Sequence, residues 1–166
     1  TEQRSFFITA PYGMVEMKTG YRNSVYLLVR SFPFAQDPQY TVYKLDSNLV
    51  INAQRSISFP NSYSIFNLNV FELDESGNVY LAGDGHYPNG PGYSPASFVM
   101  KTDKNLLTRW SRMDSVQTSY SRLHIERNGS IRLIEDFYTF YPDIKIQKIS
   151  SAGQLLQTRV YQTDPG

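Results

Sequence analysis

Few residues in this chain have the type and spacing to do chemistry. The nearest approach to a catalytic cluster is Asp84-Gly85-His86, since a histidine beside a carboxylate can act as a general base or a metal ligand. The plainer reading of the triplet is a polar turn held by its aspartate. The second histidine, His124, falls on an expected strand in another part of the chain and reads as a half-buried strand residue. Glu135-Asp136 supplies the two carboxylates of a glycosidase, but neighbours on a strand point to opposite faces, so the pair makes a poor dyad. There is no His-Glu-x-x-His, no Gly-x-Ser-x-Gly, no glycine-rich phosphate loop and no calcium-binding aspartate ladder. With no cysteine, disulfides, thiolate zinc sites and thiol catalysis are excluded. No catalytic residue, metal or cofactor is expected.

Binding is better provided for. Stretches expected to be long loops, 31–39, 58–65, 84–95 and 135–142, carry Phe32, Phe34, Tyr63, Tyr87, Tyr93, Phe137, Tyr138, Phe140 and Tyr141, with His86 among them. Tyr and Phe on loops offer a large contact area at small entropic cost, which suits a protein interface or stacking on a sugar ring. The competing reading is that these rings pack beneath their own loops.

The elements that must position such loops are strands. Segments such as Val25-Tyr26-Leu27-Leu28-Val29, Tyr40-Thr41-Val42-Tyr43 and Ile144-Lys145-Ile146-Gln147-Lys148-Ile149 are short and rich in β-branched and aromatic residues. Turn signals separate them: Ser47-Asn48, Ser76-Gly77-Asn78, Asp103-Lys104-Asn105, Asn128-Gly129-Ser130 and Ala152-Gly153. No window shows helical spacing, so the expected class is all-β. At 166 residues with 40% hydrophobic content, the chain is read as one folded domain. A net charge of +1 with scattered Lys and Arg argues against nucleic acid, and no apolar run approaches the roughly 20 residues of a membrane span. Abundant Tyr, Ser, Asn and Thr with 19% charged residues suit an exported protein, extracellular, surface-bound or periplasmic. The start at Thr1 reads as a processed product or a segment of a longer chain.

The chain also repeats itself. Met17, Leu73 and Ile125 each lead into a turn and then a strand (Val25-Tyr26-Leu27, Val79-Tyr80-Leu81, Ile131-Arg132-Leu133), and a lysine recurs at Lys44, Lys101 and Lys148. These lysines read as framework reaching the acidic turns at Asp74 and Glu126. A further turn and strand follow each time. Four strands per unit and three units, about 14–57, 66–113 and 119–162, form a propeller-blade signature. The middle unit, Leu73 to Gly83 followed by Phe98 to Asp103 and Leu106 to Trp110, resembles the bacterial seven-bladed β-propeller repeat family. The resemblance implies blade-like sheets with Trp110 packed between them. The outer units depart from it, with a longer first turn and with Arg132 in an apolar or aromatic position.

Three blades are too few to close a ring of the usual four to eight. The expectation is therefore part of a longer propeller, or half of a six-bladed assembly of two chains, with Ser5 to Thr9 as a spare strand; the alternative is a plain β-sandwich. The function expected is a non-catalytic module binding a protein or glycan through its aromatic loops. The alternatives are a structural subunit pairing through open edges, as a homodimer or with the rest of a propeller, and a hydrolase or lyase with its site near His86.

Overall fold

The computed structural model describes residues 13–32, 38–58, 64–89, 92–114, 119–136 and 144–162. Twelve strands lie in them. Sheet 1 holds β1 (Met14–Thr19), β2 (Val25–Ser31), β3 (Gln39–Leu45) and β4 (Ile51–Ser56). Sheet 2 holds β5 (Ser64–Leu73), β6 (Val79–Asn89), β7 (Gly92–Thr102) and β8 (Thr108–Asp114). Sheet 3 holds β9 (Ser119–Ile125), β10 (Ile131–Asp136), β11 (Ile144–Ile149) and β12 (Leu155–Tyr161). Each sheet is an antiparallel meander in chain order.

One turn design recurs within these meanders. The amides of Asp46, Asp74, Asp103, Glu126 and Ser150 donate to the carbonyls of Val50, Asn78, Leu107, Ser130 and Gln154, four residues on. The fourth residue of each turn donates back to the first, from Leu49, Gly77, Leu106, Gly129 and Gly153. That fourth residue always has positive φ, from 62° at Leu49 to 86° at Gly153. In three turns the leading aspartate adds an Asx turn: Asp46, Asp74 and Asp103 each accept, through Oδ1, the amides two and four residues ahead. Glu126 leads its turn without making this bond, and there Asn128 accepts from Ser130 instead.

The left-handed position decides two substitutions. Leucine pays roughly 1–2 kcal/mol in that region, which Asn or Gly avoids. Leu49 is 39% exposed, so Leu49→Asn should gain about 1 kcal/mol and raise the melting temperature. Leu106 carries the same strain but is 2% exposed within the core, so Leu106→Asn should lower it. Parallel thermal melts would check both signs.

Asp103 adds a pH effect. Burial pushes its carboxyl up, but the amides of Leu107 and Asn105 and the Arg109 guanidinium, 2.7 Å away, outweigh burial and hold it below its ordinary value. Its ionised form therefore stabilises the fold above the unfolded aspartate range, and that contribution is lost as pH falls through the folded value. The stability gap between the wild type and Asp103→Asn should be full at pH 7 and close below about pH 4. Urea unfolding across pH would test this, and an equal gap at both ends would rule the carboxylate out as its source.

The sheets stack face to face with sheet 2 in the middle. Tyr26, Leu28, Tyr40 and Val42 of sheet 1 meet Phe71, Val79, Leu81, Phe98 and Met100 of sheet 2. On the other side Val70, Tyr80, Ala82 and Val99 meet Tyr120, Ile131, Leu133 and Ile149 of sheet 3. Burial on both faces explains why Val79-Tyr80-Leu81-Ala82 is continuously apolar rather than alternating. The first strands β1, β5 and β9 lie side by side along the stack. Three layers replace the two of a β-sandwich, which corrects that alternative. The units are blade-like, and among the described residues the stack does not close into a ring.

Outer strands also bind the sheets to one another. Lys44 Nζ and Arg55 donate to the carbonyls of Lys104 and Leu106 in the next sheet, each at 2.8 Å, and Tyr26 Oη donates to Gly77 O. Trp110 is an inter-sheet residue, as expected: its Nε1 donates to Ser151 O at 2.9 Å and its ring meets Tyr80 edge-on. The space for that ring exists because residue 153 is glycine, where an added Cβ would fall 2.8 Å from the indole.

Candidate functional site

Antiparallel order sends the tight turns to one end of the stack and the connections β2–β3, β6–β7, β10–β11, β4–β5 and β8–β9 to the other. At this second end Phe32 is exposed, and the Arg30 guanidinium lies 4.5 Å from its ring centre and 5.5 Å from that of Tyr40. Stacking fixes the aromatic plane at the surface without burying it. The Tyr40 hydroxyl accepts the Leu68 amide of sheet 2 at 3.2 Å, so the cluster is anchored to the neighbouring sheet. Burial raises the Tyr40 pKa, with the nearby Arg30 charge acting in the opposite direction.

Phe34, Tyr63, Tyr138, Phe140 and Tyr141, with Phe137, lie outside the described residues. Tyr87 and Tyr93 require a correction, because 84–95 is not a long loop. β6 and β7 continue as a hairpin through Tyr87↔Ser94 and Pro88↔Tyr93 to Asn89↔Gly92. Its prolines hide this from a sequence reading, since proline cannot donate to a sheet ladder. Here Pro88 lies beyond Ser64, where β5 begins, and Pro95 beyond Asp114, where β8 ends, so each proline stands on a strand with an open edge.

The hairpin also carries Asp84 and His86, two residues apart on β6. Both Asp84 oxygens accept side-chain amide protons, one from Asn67 and one from Asn69, each at 3.1 Å. Those asparagines sit at two bulges in β5, so the carboxylate serves to hold an irregular strand. His86 is half-buried and faces Ser64 and Pro95 in the register. His124 is exposed on β9 rather than half-buried, because it lies on the face of sheet 3 turned away from sheet 2.

Glu135 belongs to β10 rather than to a loop, and it forms the centre of a polar group between sheets 2 and 3 that sequence reasoning missed. Its side chain is 0% exposed, and Oε2 accepts from Lys145 Nζ at 2.9 Å. Lys145 also lies 3.8 Å from Asp114 Oδ2, which accepts from Gln147 Nε2 at 3.1 Å. Tyr120 is buried beside them; burial first, then the Glu135 and Asp114 charges, push its hydroxyl pKa up. Glu135 Oε1 and Gln147 Oε1 have no hydrogen-bond partner among the described residues. The Glu135–Lys145 pair lies within sheet 3, and Asp114 of sheet 2, reached by Lys145 and Gln147, ties the two sheets together. Among the described residues no three His, Asp or Glu side chains converge as metal ligands would.

The recurrent lysines are framework. Lys148 pairs with Glu126 at 2.9 Å, while Lys44 and Lys101 lie over the rings of Tyr26 and Tyr80. In sheet 3 Arg132 takes the tyrosine position and joins Lys148 on Glu126, whose carboxyl they hold below its ordinary value, Lys148 most strongly.

Fold and site together define a blade-like, all-β repeat stack with its connections sorted between two ends. Compared with known protein families and with curated proteins, the chain matches none. Among the described residues no helix is long and apolar enough to cross a membrane.

Proposed function

We propose that this chain is a non-catalytic, exported recognition module that engages a protein or glycan through the end of the stack where its longer connections gather. The observation that carries the reading is the exposed Phe32 ring, backed by Arg30 and anchored through Tyr40 to sheet 2. Binding residues concentrate on connections held by a rigid scaffold, and aromatic side chains with arginine are enriched among those that dominate interface energy. The commitment of Asp84 to two asparagines and the burial of Glu135 favour binding over hydrolysis.

The test is capture on an immobilised glycan array and on a panel of purified surface proteins. Phe32→Ala should weaken capture by tenfold or more, a loss on the order of 1.4 kcal/mol or greater, with the melting temperature unchanged. Tyr138→Ala and Tyr141→Ala should weaken it too. Capture unaffected by all three substitutions would end this reading.

A further inference from the structure

We infer that the hollow between the tight-turn ends of sheets 2 and 3 is a saccharide-binding site with Lys101 as its principal donor. It lies at the end of the stack opposite the recognition face proposed above, so the inference is independent of that reading.

The three repeats use one pair of positions in three ways. In sheet 1 both side chains cross to the next sheet: Tyr26 Oη donates to Gly77 O at 3.1 Å, and Lys44 Nζ donates to Lys104 O at 2.8 Å. In sheet 3 both positions are cationic, and Arg132 and Lys148 share the Glu126 carboxylate. Sheet 2 does neither. Tyr80 turns back to Asp74 Oδ2 of its own sheet, at 3.2 Å, a partner that sheet 1 lacks because Gly20 leads the corresponding turn. The carbonyl that would answer Lys101 is Ser151 O, the counterpart of Lys104 O in the turn of sheet 3. It is already taken. Trp110 stands beside Lys101 where sheet 1 has only Ala53 beside Lys44, and the indole Nε1 donates to Ser151 O at 2.9 Å.

Lys101 is therefore left nine-tenths buried, with its ammonium 4.9 Å from the centre of the Tyr80 ring and no hydrogen bond among the described residues. The ring face balances part of the charge but leaves the N–H donors unmet, and a buried donor without an acceptor is costly. The side chain lines a hollow of 430 Å³, within the size range of small-molecule sites.

The rest of the lining selects the ligand. Glu75 of the β5–β6 turn and Arg127 and Asn128 of the β9–β10 turn face the same hollow, and all three are exposed. Among the described residues neither Glu75 nor Arg127 makes an ion pair. Open donors and an open carboxylate together suit a ligand whose groups both donate and accept, as sugar hydroxyls do. An inorganic anion would meet the carboxylates of Asp74, Glu75 and Glu126, and a cation would meet Lys101 and Arg127. A peptide would find little to bury against, since apart from Leu73 and Ile125 the lining side chains are polar.

Amide-resolved NMR during titration with glucose, galactose, mannose and N-acetylglucosamine tests this. At least one of these sugars should shift the amides of Glu75, Ser76, Arg127 and Asn128 and saturate. Lys101→Met keeps the stem over Tyr80 and removes the ammonium, so it should weaken that binding about tenfold or more without lowering the melting temperature. Glu75→Ala, at an exposed turn position, should weaken it too and carries the test should Lys101→Met fail to fold. Lys44→Met, which breaks the corresponding contact in sheet 1, should leave sugar binding unchanged. No shift with any of these sugars, shifts confined to the end that carries Phe32, or wild-type binding by Lys101→Met and Glu75→Ala would overturn the inference. So would the same amides responding to inorganic phosphate or to a tryptic peptide digest and to no sugar.

Discussion

Gly83→Ala should be the most damaging single-methyl change in this protein, lowering its stability by about 3 kcal/mol or more. A Cβ at residue 83 would stand 2.0 Å from the Asn67 carbonyl oxygen and 2.9 Å from Leu68 Cα, both backbone atoms of β5. The close approach comes from the two β5 bulges, between Ile65 and Asn67 and between Leu68 and Val70. β5 cannot back away cheaply. Asn67 and Asn69 are tied to Asp84, next to the glycine, and Leu68 is buried and bonded through its amide to Tyr40 of sheet 1. For a chain of this size the loss corresponds to a fall in melting temperature of roughly 6–12 °C. Gly129→Ala is the control. Its φ of +77° penalises alanine, but an added Cβ would meet only the Ser151 Cβ at 3.3 Å, so its cost should stay near 1 kcal/mol. If the two variants melted together, the backbone crossing at Gly83 would not be the source of the strain.

Lys145→Met should be comparably severe. It removes the ammonium that balances Glu135, a carboxylate with no solvent exposure, and such a stranded charge typically costs about 3–5 kcal/mol. The pair itself is not strongly stabilising, because both groups give up hydration and Glu135 Oε1 has no partner among the described residues. The double variant Glu135→Leu with Lys145→Met should therefore recover most of the loss. Urea unfolding of the four proteins closes the cycle. A double variant as unstable as Lys145→Met alone would place the damage in packing rather than in the unpaired charge.

The sequence reading was most reliable where the governing bonds are short. Asp46, Asp74 and Asp103 accept amides two and four residues ahead, and Gly77, Gly129 and Gly153 supply the left-handed position, so the turns could be placed from local residue types. Leu49 and Leu106 occupy the same turn position without a glycine signal. The recurring lysines, the all-β class and the inter-sheet place of Trp110 were legible from repetition. The 84–95 hairpin was not, because Pro88 and Pro95 are acceptable only where β5 and β8, respectively, no longer flank the hairpin. Among the described side chains, Phe32 is the proposed aromatic residue whose ring stands at the surface.

The local sequence thus determined a chain of short antiparallel strands and tight turns, written three times. Hydrogen bonds closed within five residues depend on the identity of those residues and little else. Which face of each strand is buried was decided by the stacking of the sheets. Alternation along Ile144-Lys145-Ile146-Gln147 would bury the isoleucines, yet pairing with β10 turns Gln147 and Lys145 toward sheet 2. Asp114, 33 residues from Gln147, supplies the partner that makes a buried glutamine tolerable. The need for glycine at 83 and at 153 is likewise set by Asn67 and Trp110, residues distant in the chain that only the stacked sheets bring within contact.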